Sequence, residues 1–254
     1  MTWLLDHPRA LFVASFAALW LASWAGAWLG RRHGGDGVDR EDFNLVLSAA
    51  LTLLGLIIGF SFSMAISRYD TRKSLEEGEA NAIGTAYPRA DLLPAAEAAQ
   101  LRRLLRSYLD ARIAGYGAAG GEQGPGAESA MATLQSQLWA TVREPAQRAP
   151  TPITALAMSG INDVINAQGY AQAAWWNRIP GEAWALLAAI ALICNLLVGY
   201  GARTLRANRV LAAILPLVAS VSFFLIADID SPRGGIIRVG AQNLEALAAS
   251  LPKP

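Results

Sequence analysis

The side chains that most often carry chemistry are scarce in this chain and badly spaced for it. Of its 254 residues, one is a cysteine and two are histidines. Cys194 lies in an uncharged run with no second thiol, so packing is its expected role. His7 and His33 are far apart in sequence, and no Cys/His ligand spacing accompanies either, so no metal site is expected. No serine nucleophile elbow, Walker loop or HExxH pair occurs. The glycines between Gly115 and Gly126 resemble a phosphate loop only superficially. No strand precedes them, and a flexible linker is the expectation. The formal net charge is +1, and no basic cluster marks a nucleic-acid surface. The sequence therefore predicts no catalytic residues, no metal, no cofactor and no nucleic-acid partner. It does not read as an enzyme.

Two other patterns stand out. Ser48, Thr52, Gly55, Leu56, Gly59, Ser63 and Ser67 recur at three- and four-residue steps, which places them on one side of a helix. Such a stripe of small and hydroxylated residues either packs closely against another helix or forms a wall lined with water. Spacing alone favours packing. The second pattern is charge at the ends of apolar runs: Arg68, Asp70, Arg72 and Lys73 in one place, Asp228, Asp230 and Arg233 in another. These are either solvated end charges or an Arg68–Asp228 or Arg68–Asp230 pair that fixes a helix exit.

The elements that position these residues are long and apolar. Spanning about 30 Å of hydrocarbon takes roughly 20 residues of helix. Residues 10–30, 43–67 and 183–202 contain no charge, and 210–227 is shorter but dense in Leu, Val, Ile and Phe. Buried helices of soluble proteins rarely lack charge on every face over so many turns. The expected organisation is all-α, a polytopic membrane protein with four transmembrane helices in two hairpins. The spans are placed at 9–30, 43–67, 183–202 and 210–228, with a C-terminal tail at 229–254. Trp3, Trp28, Trp175, Trp176 and Trp184 sit where interface anchors belong, and Pro180 suits the first turn of the third span. Ala25-Gly26-Ala27 looks like a signal cleavage site, but the apolar run continues beyond it, so the first span is expected to remain.

Residues 68–182 are too polar for a further span and too long for a turn. Leu101, Leu104, Leu105, Tyr108 and Leu109 repeat at helical spacing, with Arg102, Arg103, Arg106 and Asp110 between them. Further helices are expected over 128–142 and over about 151–176. The latter carries one charge, Asp163. This stretch is therefore a helical extramembrane domain between spans two and three.

Residues 59–72, Gly-Phe-Ser-Phe-Ser-Met-Ala-Ile-Ser-Arg-Tyr-Asp-Thr-Arg, followed by Glu79-Ala-Asn-Ala-Ile-Gly-Thr-Ala-Tyr87, resemble the signature of a bacterial membrane family called bestrophin-like. Residues 226–239, and Asn162-Asp163 followed by Arg178-Ile-Pro180, resemble it too. True bestrophins are pentameric ion channels whose second helix lines the pore and continues into a cytosolic domain. Gly59, Phe60 and Arg68 keep the spacing of their glycine-phenylalanine pair and following arginine. The resemblance implies a pore lined by Thr52, Leu56, Gly59, Phe60, Ser63 and Ser67, with Leu56 and Phe60 narrowest. It departs at Ser61-Phe62, and the acidic calcium clasp of animal bestrophins has at most Asp228 and Asp230 as a counterpart.

The expected partners are the lipid bilayer, inorganic ions and further copies of the chain, a pentamer by resemblance. The place is a bacterial inner membrane. An even number of spans puts both termini and the helical domain on one side. Arg31, Arg32, Arg40, Arg203, Arg206 and Arg209 in the short loops favour an external domain, whereas the resemblance implies a cytoplasmic one. The competing expectation is a non-conducting scaffold or sensor whose helical domain binds a partner protein.

Overall fold

The computed structural model describes residues 2–33, 40–117, 125–201, 209–231 and 235–252. Every regular element among them is helical. In chain order they are α1 (Thr2–Asp6), α2 (Pro8–His33), α3 (Arg40–Arg89) continued by a short 3-10 helix (Ala90–Leu92), α4 (Ala95–Gly117), α5 (Pro125–Arg148), α6 (Pro152–Trp176), α7 (Gly181–Gly201), α8 (Arg209–Asp230) and α9 (Gln242–Ser250). The chain forms two compact units. One contains residues 1–67 and 178–237, the other residues 68–177 and 238–254.

Among the described residues four helices are long and apolar enough to cross a membrane, two before the helical unit in the chain and two after most of it. In the first unit α2 packs against both α7 and α8. Its face against α7 is made by small residues. A Cβ on Gly26 would run into the carbonyl oxygen of Leu196, one on Gly30 into that of Tyr200, and one on Gly199 into that of Ser23. Close backbone approach of this kind increases dispersion contact, which drives helix association where lipid offers no hydrophobic contrast. The buried Ser23 hydroxyl donates to Asn195 Oδ1 at 3.3 Å, and Asn195 Nδ2 donates to the Ala191 carbonyl at 2.8 Å. Two polar side chains thereby satisfy each other inside an apolar contact. At the far end, Phe43 packs beside Gly201 and its ring lies 5.8 Å from that of Tyr200.

In the second unit α4 packs on α5 and α9, and α5 on α6. The α4 repeat expected from the sequence is its core face, because Leu101, Leu105, Tyr108 and Leu109 are all fully buried. The helix expected over 128–142 extends at both ends, to Pro125 and Arg148. α6 starts at a capping box in which the Thr151 and Thr154 side chains bond reciprocally across the first turn, with Pro152 just inside. The glycine-rich linker lies mostly outside the described residues.

Candidate functional site

α3 is a single helix of 50 residues, and it carries both patterns that the sequence singled out. Over residues 40–67 only Leu54 and Ala65 are buried. Just 6% of its most apolar stretch is buried, against 17%, 33% and 44% in the other three spans. Thr52, Leu56, Gly59, Phe60, Ser63 and Ser67 are all exposed, Leu56 at 52% and Phe60 at 64%. A Cβ on Gly55 or Gly59 would meet nothing within 4 Å. The Thr52 hydroxyl turns back to the Ser48 carbonyl at 2.8 Å, which satisfies it without a partner helix. Packing inside the subunit is therefore not what the small residues at 55 and 59 accomplish.

The end charges have partners, several of which the sequence did not suggest. Arg68 donates from Nη1 to Asn177 Oδ1 at 2.7 Å, while Asp70 is exposed. Asp228 is 2% exposed and accepts the backbone N–H of Ile236 at 2.8 Å and that of Ile237 at 2.9 Å. The turn that brings those amides back passes so close that a Cβ on Gly235 would collide with the Asp228 carbonyl. Asp230, 5% exposed, accepts the Ile179 N–H at 3.1 Å, just ahead of Pro180 and the start of α7. Both acids thus hold backbone donors at the exit of α8, where an ionised acceptor makes the stronger bond. Arg233 lies outside the described residues. No group of three or more His, Cys, Asp or Glu side chains that could hold a metal occurs among the described residues.

Sequence reasoning missed the burial of charged positions on α3 beyond the membrane stretch, Arg72 among them. Arg72, Glu76, Glu79, Ile83, Ala86 and Ala90 are buried at three- and four-residue steps. Glu76 caps α9: its Oε1 accepts the N–H groups of Asn243 at 2.9 Å and Leu244 at 3.0 Å, and its Oε2 accepts Asn243 Nδ2 at 2.6 Å. Glu79 is paired with Arg112 through two parallel bonds, Nε to Oε1 and Nη2 to Oε2, the latter at 2.9 Å. The guanidinium also lies 5.4 Å from the Tyr116 ring and 5.7 Å from that of Trp175. Burial by itself would lower the Arg112 pKa, but the bond and charge of Glu79 hold it above the usual arginine value. Burial, and then the Glu79 charge, push the Tyr108 and Tyr116 phenols well above the ordinary tyrosine value. The available signal was periodicity: Arg112 continues the apolar row of Leu101, Leu105 and Tyr108, and a charge on a core row needs an opposite partner.

Four spans with a helical unit in the chain between the second and third define a multi-pass membrane protein. The family model for the Bestrophin-like domain matches residues 17–244. The chain belongs to the Bestrophin-like family. Its fold is similar to that of a bacterial bestrophin homologue from Klebsiella pneumoniae, with a TM-score of 0.61 at 13% identity over 94% of this chain and 99% of that one. Variants of that homologue give TM-scores of 0.61 at 13% identity and 0.60 at 12%, over the same shares. No curated protein matches the sequence at a significant level. Identity this low establishes the fold alone.

Proposed function

We propose that the chain is one subunit of a bestrophin-like ion channel in a bacterial inner membrane. In this reading it assembles as a homo-oligomer, a pentamer by its resemblance to bestrophins. The face of α3 bearing Thr52, Leu56, Gly59, Phe60, Ser63 and Ser67 surrounds the axis. Leu56 and Phe60 form an apolar constriction, Ser63 and Ser67 line a wetter vestibule, and the helical unit lies in the cytoplasm. The observation that carries the reading is the exposure of this face. Small and hydroxylated residues exposed on one helix face, with open space around Gly55 and Gly59, are suited to an axis shared by several copies, and a four-helix subunit is too small to enclose a wide pore alone.

An apolar ring gates by excluding water, and its barrier falls as its side chains shrink. Leu56→Ala combined with Phe60→Ala is expected to raise ion flux in reconstituted vesicles at unchanged oligomer size. Leu53→Ala is the control, since three residues place it about 60° around the helix from Leu56. A monomeric protein, equal flux from the control and the double variant, or no flux from either in an intact oligomer would refute the pore. Any of these results would favour the scaffold alternative.

A further inference from the structure

α2 carries an aromatic residue at every fourth position along most of its length: Phe12, Phe16, Trp20, Trp24 and Trp28, with Arg32 one step further. Steps of four advance about 40° around a helix, so the rings form a spiral rather than a straight file. Its first turns are fixed by neighbours. Phe12 meets Phe224 edge-on at 6.3 Å, Phe12 and Phe16 stack at 6.4 Å, and Phe16 meets Trp20 edge-on at 5.4 Å. The spiral then leaves the core, with Trp20 at 38%, Trp24 at 58% and Trp28 at 40% exposure. It ends where the Arg32 guanidinium lies over the Trp28 ring, 4.3 Å from its centre.

Interface anchoring explains Trp28, next to the charged helix end, but not the other two indoles. Trp20 is 12 residues from Arg32, or about 18 Å along the axis, which is close to the middle of a bilayer about 30 Å thick. Exposed indoles spaced from midplane to headgroup depth span about the length of one acyl chain. Arg31 and Arg32 are both exposed at the end of the spiral, and α2 itself contains no acidic residue. A guanidinium held over an indole face can still present N–H donors to a ligand, and these suit a phosphate. We propose that this face binds an anionic phospholipid of the surrounding leaflet, its acyl chain along Trp20, Trp24 and Trp28 and its phosphate on Arg32.

The test uses the full chain in phosphatidylcholine vesicles containing acyl-brominated phosphatidylglycerol or acyl-brominated phosphatidylcholine, with quenching of tryptophan fluorescence as the readout. The anionic lipid is expected to quench at about five-fold lower mole fraction, the preference that one arginine near an anionic headgroup supplies. The preference should disappear in Arg32→Gln and in Trp24→Phe combined with Trp28→Phe. It should persist in Arg9→Gln, an exposed arginine at the other end of the same helix. Equal quenching by both lipids would reduce the face to ordinary lipid contact and overturn the proposal. So would an unchanged preference in Arg32→Gln. Failure of either lipid to quench Trp24 and Trp28 would mean that protein covers the track, and would overturn it equally.

Discussion

Removing the Glu79 carboxylate is the most informative single perturbation of the helical unit. The side chains of Glu79 and Arg112 are 0% and 2% exposed. In Glu79→Ala the guanidinium stays buried, keeping its contacts with the Tyr116 and Trp175 rings but losing both charged bonds. Breaking a buried pair in this way costs about 3–5 kcal/mol. At about 2–4 °C per kcal/mol for a chain of this size, the melting temperature should fall by roughly 6–20 °C. The comparison is Glu97, which reaches Arg148 at 3.4 Å with side-chain exposures of 22% and 63% for acid and base. Water screens that pair, and Glu97→Ala should cost about 1 kcal/mol or less. Circular dichroism of the full chain in detergent measures both. The mechanism also predicts a rescue: Glu79→Leu combined with Arg112→Met removes both charges and should recover most of the loss, because a buried pair gains little over apolar side chains of similar volume. The reasoning fails if Glu79→Ala is as mild as Glu97→Ala, or if the double variant is no more stable than the single.

Two further outcomes test the membrane unit. Gly26→Ala places a methyl group against the Leu196 carbonyl and should cost about 1–3 kcal/mol in thermal stability, as overpacking usually does; Gly59→Ala, with open space around it, should cost less, and the reverse order would refute the assigned helix contact. Asp228→Ala removes two charge-assisted bonds, so exchange of the Ile236 and Ile237 amide hydrogens should accelerate by roughly ten- to hundred-fold, with no change in Asp70→Ala; equal protection in both variants would show that Asp228 does not hold the turn.

The helices were legible where the sequence had a periodic or compositional signal. The uncharged runs marked four apolar helices, and the leucine spacing of α4 marked its core face. Pro180 stands directly before α7, and the predicted start near Thr151 coincides with a capping box. The anchoring charges were harder to foresee because their partners are distant in sequence or belong to the backbone. Glu76 serves α9 from 167 residues away, and Asp228 takes main-chain amides that carry no residue identity. A search for opposite charges at two helix exits weighs side chains only, and so passes over the main-chain amides that Asp228 and Asp230 accept. The close approach of Gly235 to the Asp228 carbonyl, beside the two amides that Asp228 holds, is a backbone feature that composition does not encode.

The two glycine pairs show what spacing conveys and where it stops. Gly26 with Gly30 and Gly55 with Gly59 have the same four-residue separation in equally apolar helices, so each predicts close packing with equal force. They differ in whether another helix brings its backbone to them. α7 does so for the first pair, and it contributes a glycine of its own at position 199, so small residues face each other from both sides. Among the described residues Gly55 and Gly59 have no such counterpart, and they stand among exposed Thr52, Leu56, Phe60 and Ser63. A two-sided small-residue contact is therefore the stronger sequence signal for packing within a subunit. A one-sided stripe that alternates glycine and hydroxyl with large apolar side chains is the pattern to expect of a surface completed by something other than its own chain, and the constriction proposed at Leu56 and Phe60 rests on that distinction.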